Sequence, residues 1–225
     1  MPETRGVLLP AYVVADESAS MGPYEGELRD GLASLCEGLR AEPMIAAKVR
    51  LAILGFSDNV QPRLELSDMR TVESLPRLTI RGTTNYGAAF GDLLRRIPSD
   101  VRTLKGDDYK VHRPVVFFLS DGQPTDGNAW QTPHQQLTSR EVTPVAPNII
   151  ACGIGTARAD TMLAVATRQE FAFVALPSTD LGRAISEFFH ALTTSLIASG
   201  QAMANGTPEL VMNRPEGFRM VIDAV

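Results

Sequence analysis

The stretch Val7-Leu8-Leu9-Pro10-Ala11-Tyr12-Val13-Val14-Ala15-Asp16-Glu17-Ser18-Ala19-Ser20 decides the fold. Its first nine residues form an almost continuous apolar run, the pattern of a strand covered on both faces. A carboxylate and two hydroxyls at alternate positions follow where that strand should end. Such a loop can aim three hard oxygen donors at one divalent cation, which makes Asp16, Ser18 and Ser20 the first candidate site. Asp and Ser also cap helices, and taken alone the three read equally well as helix-capping residues.

A strand buried on both faces calls for a parallel sheet with helices on either side, and the chain outward from it alternates accordingly. Residues 25–41 carry Leu28, Leu32, Leu35, Cys36 and Leu39 at helical spacing, and Pro43 closes that helix region. Val49 to Phe56 is a second strand. Ser57-Asp58-Asn59 is turn chemistry, after which Val60 to Leu66 returns antiparallel, with Pro62 suited to a sheet edge. A helix starts near Asn85, and residues 99–113 read as a polar connection. Pro114 to Leu119 is the most continuous later strand and ends at Ser120-Asp121-Gly122. A helix around 129–141, a strand Asn148 to Cys152, a helix at about 159–168 and a short strand at 171–174 follow. Ser178-Thr179-Asp180 offers caps for a strongly amphipathic last helix.

The expected fold is therefore α/β: a single Rossmann-like, doubly wound, mostly parallel six-stranded sheet with one antiparallel edge strand and helices on both faces. The domain is expected over residues 1–199. Residues 200–225 read as a small polar linker, Gly200 to Pro208, and a short C-terminal tail that can be extended. Phe218, Met220 and Ile222 alternate in that tail, which suits docking on the domain's own edge or adding a strand to a partner.

The formal net charge of -5, from 21 basic and 26 acidic residues, argues against a mainly electrostatic nucleic-acid binder. Cys36 and Cys152 are too few for a disulfide framework and sit among apolar residues. Met1-Pro2-Glu3-Thr4-Arg5 does not open a secretory signal, and no apolar run approaches a membrane span. A cytoplasmic location, without nucleic-acid or membrane partners, is the expectation.

Open parallel sheets bind ligands outside the carboxyl ends of their strands. Asp16, Ser18 and Ser20 lie past the first strand and Asp121 past the strongest later one. In a doubly wound order those strands are neighbours, so both carboxylates flank one crevice. The loop Arg81-Gly82-Thr83-Thr84-Asn85 opens a helix and can overhang the same edge. Carboxylates and hydroxyls suit Mg²⁺ or Mn²⁺, with Ca²⁺ behind them, rather than zinc. Glu17 reads as a solvated spacer. Asp126 reads as a turn former or as an acceptor behind the site, and Asn85 as a helix cap or a contact to a metal-bound water. Gly153-Ile154-Gly155-Thr156-Ala157-Arg158 lacks the last Gly or Ala of a dinucleotide loop and reads as a tight strand-to-helix turn. His112, His134 and His190 are scattered. No His-x-x-His spacing, G-x-S-x-G elbow or P-loop occurs.

Asp16-x-Ser18-x-Ser20, the Thr of Gly82-Thr83-Thr84-Asn85 and the Asp of Leu119-Ser120-Asp121-Gly122 together resemble a von Willebrand factor A (vWA) domain over residues 7 to about 198. The resemblance implies a metal-ion-dependent adhesion site (MIDAS) made of Asp16, Ser18, Ser20, Thr84 and Asp121. Thr84 matches better than Thr83 because it immediately precedes the helix-opening Asn85-Tyr86-Gly87. Leu9 to Asp16, Gly82 to Phe90 and Ser120 to Asp126 further resemble bacterial tellurium-resistance vWA proteins of the TerY type. That resemblance implies a cytoplasmic domain working beside a phosphatase and a kinase-like protein in metal or chemical stress responses.

Two functions follow as expectations. In the first, a non-catalytic binding module uses its metal to capture an Asp or Glu of a protein partner. In the second, Asp16 serves a Mg²⁺-dependent phosphate-ester hydrolase. Such enzymes usually carry a second acid two positions after the nucleophile, and that position is Ser18, a poor general acid.

Overall fold

A computed structural model describes residues 4–207 and 209–223. Met1–Glu3 of the expected leaderless start, Pro208 of the expected linker and residues 224–225 of the tail lie outside the described residues. The strands are β1 (Gly6–Asp16), β2 (Val49–Phe56), β3 (Val60–Ser67), β4 (Tyr109–Val111), β5 (Val115–Ser120), β6 (Asn148–Gly153), β7 (Ala172–Ala175) and β8 (Phe218–Met220). The helices are α1 (Glu25–Arg40), α2 (Pro43–Ala46), α3 (Tyr86–Gly106), α4 (Gln131–Thr138), α5 (Ala159–Val165) and α6 (Leu181–Ala204). The sheet runs β3-β2-β1-β5-β6-β7-β8, and β4 pairs with the start of β1.

Strand β1 shows why its sequence is apolar throughout. Leu9, Ala11, Val13 and Ala15 face one core layer, covered by α1 and α6, while Tyr12 and Val14 face the other, covered by α3. The same alternation divides Val115, Phe117 and Leu119 of β5 from Val116 and Phe118. Both strands therefore have no solvent face on which polar residues could alternate. They pair in parallel, Ala11 opposite Val115 through Ala15 opposite Leu119, so the switch point of the doubly wound order lies between them.

The α/β class and the mostly parallel sheet stand, but the sheet has eight strands rather than six, and two antiparallel edges, β3 and β8, rather than one. The two added strands are each three residues long. Three residues cannot display a recognisable period of two. β4 lies inside the segment 99–113 expected as a connection, most of which is the end of α3. That helix continues through Pro98 to Gly106, because Ile97 and Val101 bury on the sheet and tertiary packing outweighs the breaker. Pro43, expected to close a helix, opens the short α2 at a position where its missing N–H leaves no bond unmade.

The last helix continues beyond Gly200 to Ala204. The chain then returns along it. The backbone N–H groups of Val211 and Asn213 donate to Ser199 Oγ and Ser195 Oγ, both at 2.9 Å. β8 pairs antiparallel with β7, Phe218 opposite Ala175, and the buried Phe218 joins the core. Among the described residues, no helix is long and apolar enough to cross a membrane.

Candidate metal centre

β1 and β5 end side by side and deliver Asp16 and Asp121 to one crevice at the carboxyl edge of the sheet. Asp16 is fully buried and Asp121 nearly so. The backbone N–H of Ser18 donates to Asp16 Oδ1 at 2.8 Å, and the Ser120 hydroxyl donates to Oδ2 at 2.6 Å. Ser18 Oγ and Ser20 Oγ share a hydrogen bond at 3.1 Å, and Ser20 Oγ donates to Asp121 Oδ1 at 3.0 Å. Ser18, Ser20 and the two carboxylates thus form one connected group of oxygens. After Ser18 the chain enters a short 3₁₀ helix, Ala19–Tyr24, whose second residue is Ser20, and Ser18 precedes it without a side-chain capping bond. The three loop residues are not spent on capping.

Thr84 arrives from the loop before α3. It is buried, and its Oγ1 stands 3.7 Å from where a Cβ on Gly122 would begin, beside the Asp121 loop. Its carbonyl accepts from both the backbone N–H and the hydroxyl of Thr125, at 2.9 and 3.0 Å, which fastens the two loops together. The exposed Thr83 turns the other way: its N–H and hydroxyl donate to Asp58 Oδ1 at 3.0 and 2.6 Å. These bonds hold the Asp58 carboxyl below its ordinary range. Gly82 makes that turn with φ +51, and a Cβ there would sit 2.0 Å from Asp58, so both backbone and space demand glycine. Asn85 caps α3 by accepting from Ala88 N–H at 2.8 Å. Asp126 Oδ2 accepts from Gly87 N–H at 2.9 Å, in the first turn of α3, while its Oδ1 is buried without a partner.

Burial, opposed by the Ser120 and Ser18 hydrogen bonds, pushes the Asp16 carboxyl up to about 6, and the Asp121 charge adds to the rise. Burial also raises Asp121, opposed by the Ser20 bond. Two buried carboxylates with neutral hydroxyls around them favour a cation beside them. The donor set fits a hard divalent ion: every one of the five candidate side chains offers oxygen, and two of them offer charge. Among the described residues there is no cluster of three or more His, Cys, Asp or Glu, so hydroxyls would have to complete the ligand set.

Glu17 corrects the sequence reading. It is no solvated spacer but fully buried. Arg63 grips its carboxylate with two bonds at 2.7 and 2.8 Å, Arg81 Nε adds one at 2.8 Å and the Thr79 N–H another at 2.8 Å. Glu17, the first residue past β1, points away from the metal crevice into the space left by Gly55, where a Cβ would lie 2.1 Å from the Glu17 carboxyl. Glu17 thereby ties β3 and the loop before Gly82 to the root of the Asp16 loop. Sequence reasoning missed this anchor and Ser120. The signal for Ser120 was its place beside Asp121 at the end of β5. For Glu17 only the glycine on the paired strand hinted at a large neighbour. The glycine turn 153–158 serves the same edge: Thr156 donates from both N–H and hydroxyl to the Asp121 carbonyl at 2.9 Å.

Residues 12–187 match the family described as von Willebrand factor type A domain. Among solved structures, the chain is similar to proximal thread matrix protein 1 from the mussel byssus, at 16% identity and a TM-score of 0.60, with 84% of this chain and 48% of that one covered. A second structure of that protein, described as having a zinc-occupied MIDAS motif, aligns at 17% identity and a TM-score of 0.52, covering 83% and 46%. The pilus adhesin SpaC from Lactobacillus rhamnosus GG aligns at 13% identity and a TM-score of 0.65, covering 84% of this chain and 30% of that one. The chain therefore spans less than half the length of these structural relatives, and at such identities they speak for the fold alone. No curated protein matches the chain in sequence.

Proposed function

We infer that this chain, which belongs to the von Willebrand factor type A domain family, is a metal-dependent protein-binding module with an intact MIDAS. Asp16, Ser18, Ser20, Thr84 and Asp121 hold the ion. The observation that carries this reading is the hydrogen-bonded chain from Asp16 through the Ser18 N–H, Ser18 Oγ and Ser20 Oγ to Asp121, with the buried Thr84 hydroxyl beside Gly122 of the Asp121 loop. Only two of the donors are charged, so a bound divalent ion keeps the electrophilicity to take an Asp or Glu of a partner as its last ligand. One such contact gives modest affinity, and the loops around it supply selectivity. The all-oxygen set suits Mg²⁺ or Mn²⁺. Zinc, which occupies the MIDAS of the mussel protein, is the competitor to test.

Binding is a better reading than phosphate-ester hydrolysis. Ser18 stands where a hydrolase needs an acid. We further propose that residues 1–199 carry the metal site and its surrounding loops, while the segment from 200 on supplies no ligand and serves by docking on that unit. The likeness of Leu9 to Asp16, Gly82 to Phe90 and Ser120 to Asp126 to TerY-type proteins suggests a cytoplasmic bacterial stress-response setting. A phosphatase or kinase-like protein of that system is the first partner to try.

The test is calorimetric titration of Mg²⁺, Mn²⁺ and Zn²⁺ into the wild type, Asp16→Ala and Asp121→Ala, followed by partner capture with and without EDTA. Metal binding and capture should both vanish in the two variants, and EDTA should abolish capture. Capture indifferent to EDTA and to both substitutions would remove the adhesion reading. Turnover of a generic phosphate ester that disappears in Asp16→Asn would install the hydrolase in its place.

A further inference from the structure

Three arginines converge at the amino edge of the sheet, the end opposite the metal centre. Arg113 precedes β5, Arg140 follows α4 and Arg168 follows α5. With Asn148, the first residue of β6, they line both of two cavities of about 230 and 110 Å³, which share this wall. Arg113 is held in place by donating to the carbonyl of Ala146. Among the described residues, neither Arg113 nor Arg140 has a carboxylate within 4.0 Å. Burial, and then the charge of Arg140, pull the Arg113 guanidinium below the ordinary arginine range. The fold thus gathers like charges around a recess and, among the described residues, leaves two of them without an ion-pair partner. Arg168 is partly engaged, 3.7 Å from Glu170 and over the Phe171 ring. Glu209 is the acidic group lining the larger cavity, and it is exposed.

The rest of the larger cavity has a different character. Leu9, Met203 and Leu210 give it an apolar wall. A ligand that satisfies both parts carries a compact, doubly charged head and a small apolar body. Guanidinium forks match phosphate oxygens in pairs, and a dianion offsets two unpaired cations better than a monoanion does. The larger volume of about 230 Å³ lies below the roughly 300–1,000 Å³ of sites for drug-sized ligands, so the body must be small.

We propose that this recess is a second ligand site, in which Arg113 and Arg140 hold the phosphate of a small phosphomonoester while Leu9, Met203 and Leu210 cover its apolar part. The site does not depend on the metal reading, because six residues of strand at about 3.3 Å each, roughly 20 Å, separate the two edges of the sheet.

Phenyl phosphate titrated calorimetrically into the full chain in EDTA is the direct probe, with inorganic phosphate and benzoate as comparisons. The expected result is saturable one-to-one binding, unchanged in Asp16→Ala and weakened about tenfold in Arg140→Gln, the loss of one charge-assisted contact. Arg140 is exposed, so that variant keeps its fold. Inorganic phosphate should bind more weakly for want of the apolar wall, and benzoate for want of the second charge. Failure of phenyl phosphate to saturate, affinity unchanged in Arg140→Gln, or a requirement for Mg²⁺ would overturn the proposal. Benzoate binding as tightly, or a single-stranded oligonucleotide displacing phenyl phosphate at lower concentration, would overturn it too.

Discussion

The Ser20 hydroxyl donates to Asp121 Oδ1 at 3.0 Å, across 101 positions of sequence. This bond joins the loop after β1 to the loop after β5, and both carboxylates of the crevice sit on the network it completes. A cation placed there meets partly assembled ligands, so binding pays little for ordering them.

That arrangement predicts a crossing of stabilities. In EDTA, Asp16→Asn should melt at or above the wild type, because a buried carboxylate raised to about 6 by desolvation is disfavoured as an anion at pH 7. With Mg²⁺ at a hundred times its dissociation constant the wild type gains about 2.7 kcal/mol. At about 2–4 °C per kcal/mol for a domain of this size, that lifts it several degrees above the variant. Thermal scans of both proteins, with and without metal, decide the matter. A wild type that melts higher in both conditions would remove the argument from desolvation.

Glu17 faces away from the ion, yet it should govern stability more than any ligand. Glu17→Ala strands Arg63 and Arg81, whose side chains are 16% and 19% exposed, and breaking a buried pair of this kind costs about 3–5 kcal/mol. Glu17→Gln keeps part of the hydrogen bonding and should lose less. Gly55→Ala should also destabilise, by driving a methyl group into the same carboxylate. Urea unfolding of the three variants orders them, and a Glu17→Ala loss within about 0.5 kcal/mol, the range of ordinary surface changes, would mean the clamp is not formed.

The C-terminal segment should behave as part of the fold. Phe218 is 4% exposed at the pairing of β8 with β7, and Phe218→Ala should cost about 3 kcal/mol or more. Ser195→Ala leaves the Asn213 N–H without its acceptor and should cost about 1–3 kcal/mol while speeding hydrogen exchange along 211–220. Exchange in this segment as fast in the wild type as in an unfolded chain would contradict its docking.

The parts of this molecule legible in sequence are those where one physical demand acts on several residues at once. The run Val7 to Ala15 is apolar because both faces are covered. Asp16, Ser18 and Ser20 recur together because one crevice draws on the strand end, the extended Ser18 and the first turn of the 3₁₀ helix that follows. Asn85 and Asp180 cap α3 and α6 by accepting from Ala88 and Arg183 N–H. Where a single long-range contact decides, sequence is silent. Glu17 looks like any surface glutamate until Arg63, Arg81 and Gly55 are brought to it from elsewhere in the chain. β4 and β8 are strands only because a neighbour offers an edge. Pro98 breaks helices in general, but here Ile97 and Val101 keep the helix on the sheet.

His134 supplies the pH dependence. Its ring packs edge-on to Phe90 and Trp130, and its Nε2 lies 2.8 Å from the Val165 carbonyl, which requires that nitrogen to carry a proton and donate. Burial, opposed by that bond, lowers its pKa below the ordinary 6.5. The unfolded imidazole therefore takes up a proton below 6.5 that the folded one refuses. The stability this site contributes is complete above that pH and is lost as pH falls toward the depressed folded value. Asp16 and Asp121, whose carboxyls are raised, act in the opposite sense, since their protonation in the fold relieves buried charge. Comparing the wild type with His134→Gln at each pH cancels the carboxylates, which both proteins share. The stability difference between them should be constant from pH 8 to about 6.5 and then shift steadily against the wild type on acidification. A difference that stays flat to pH 5 would mean the ring is protonated as readily in the fold as out of it.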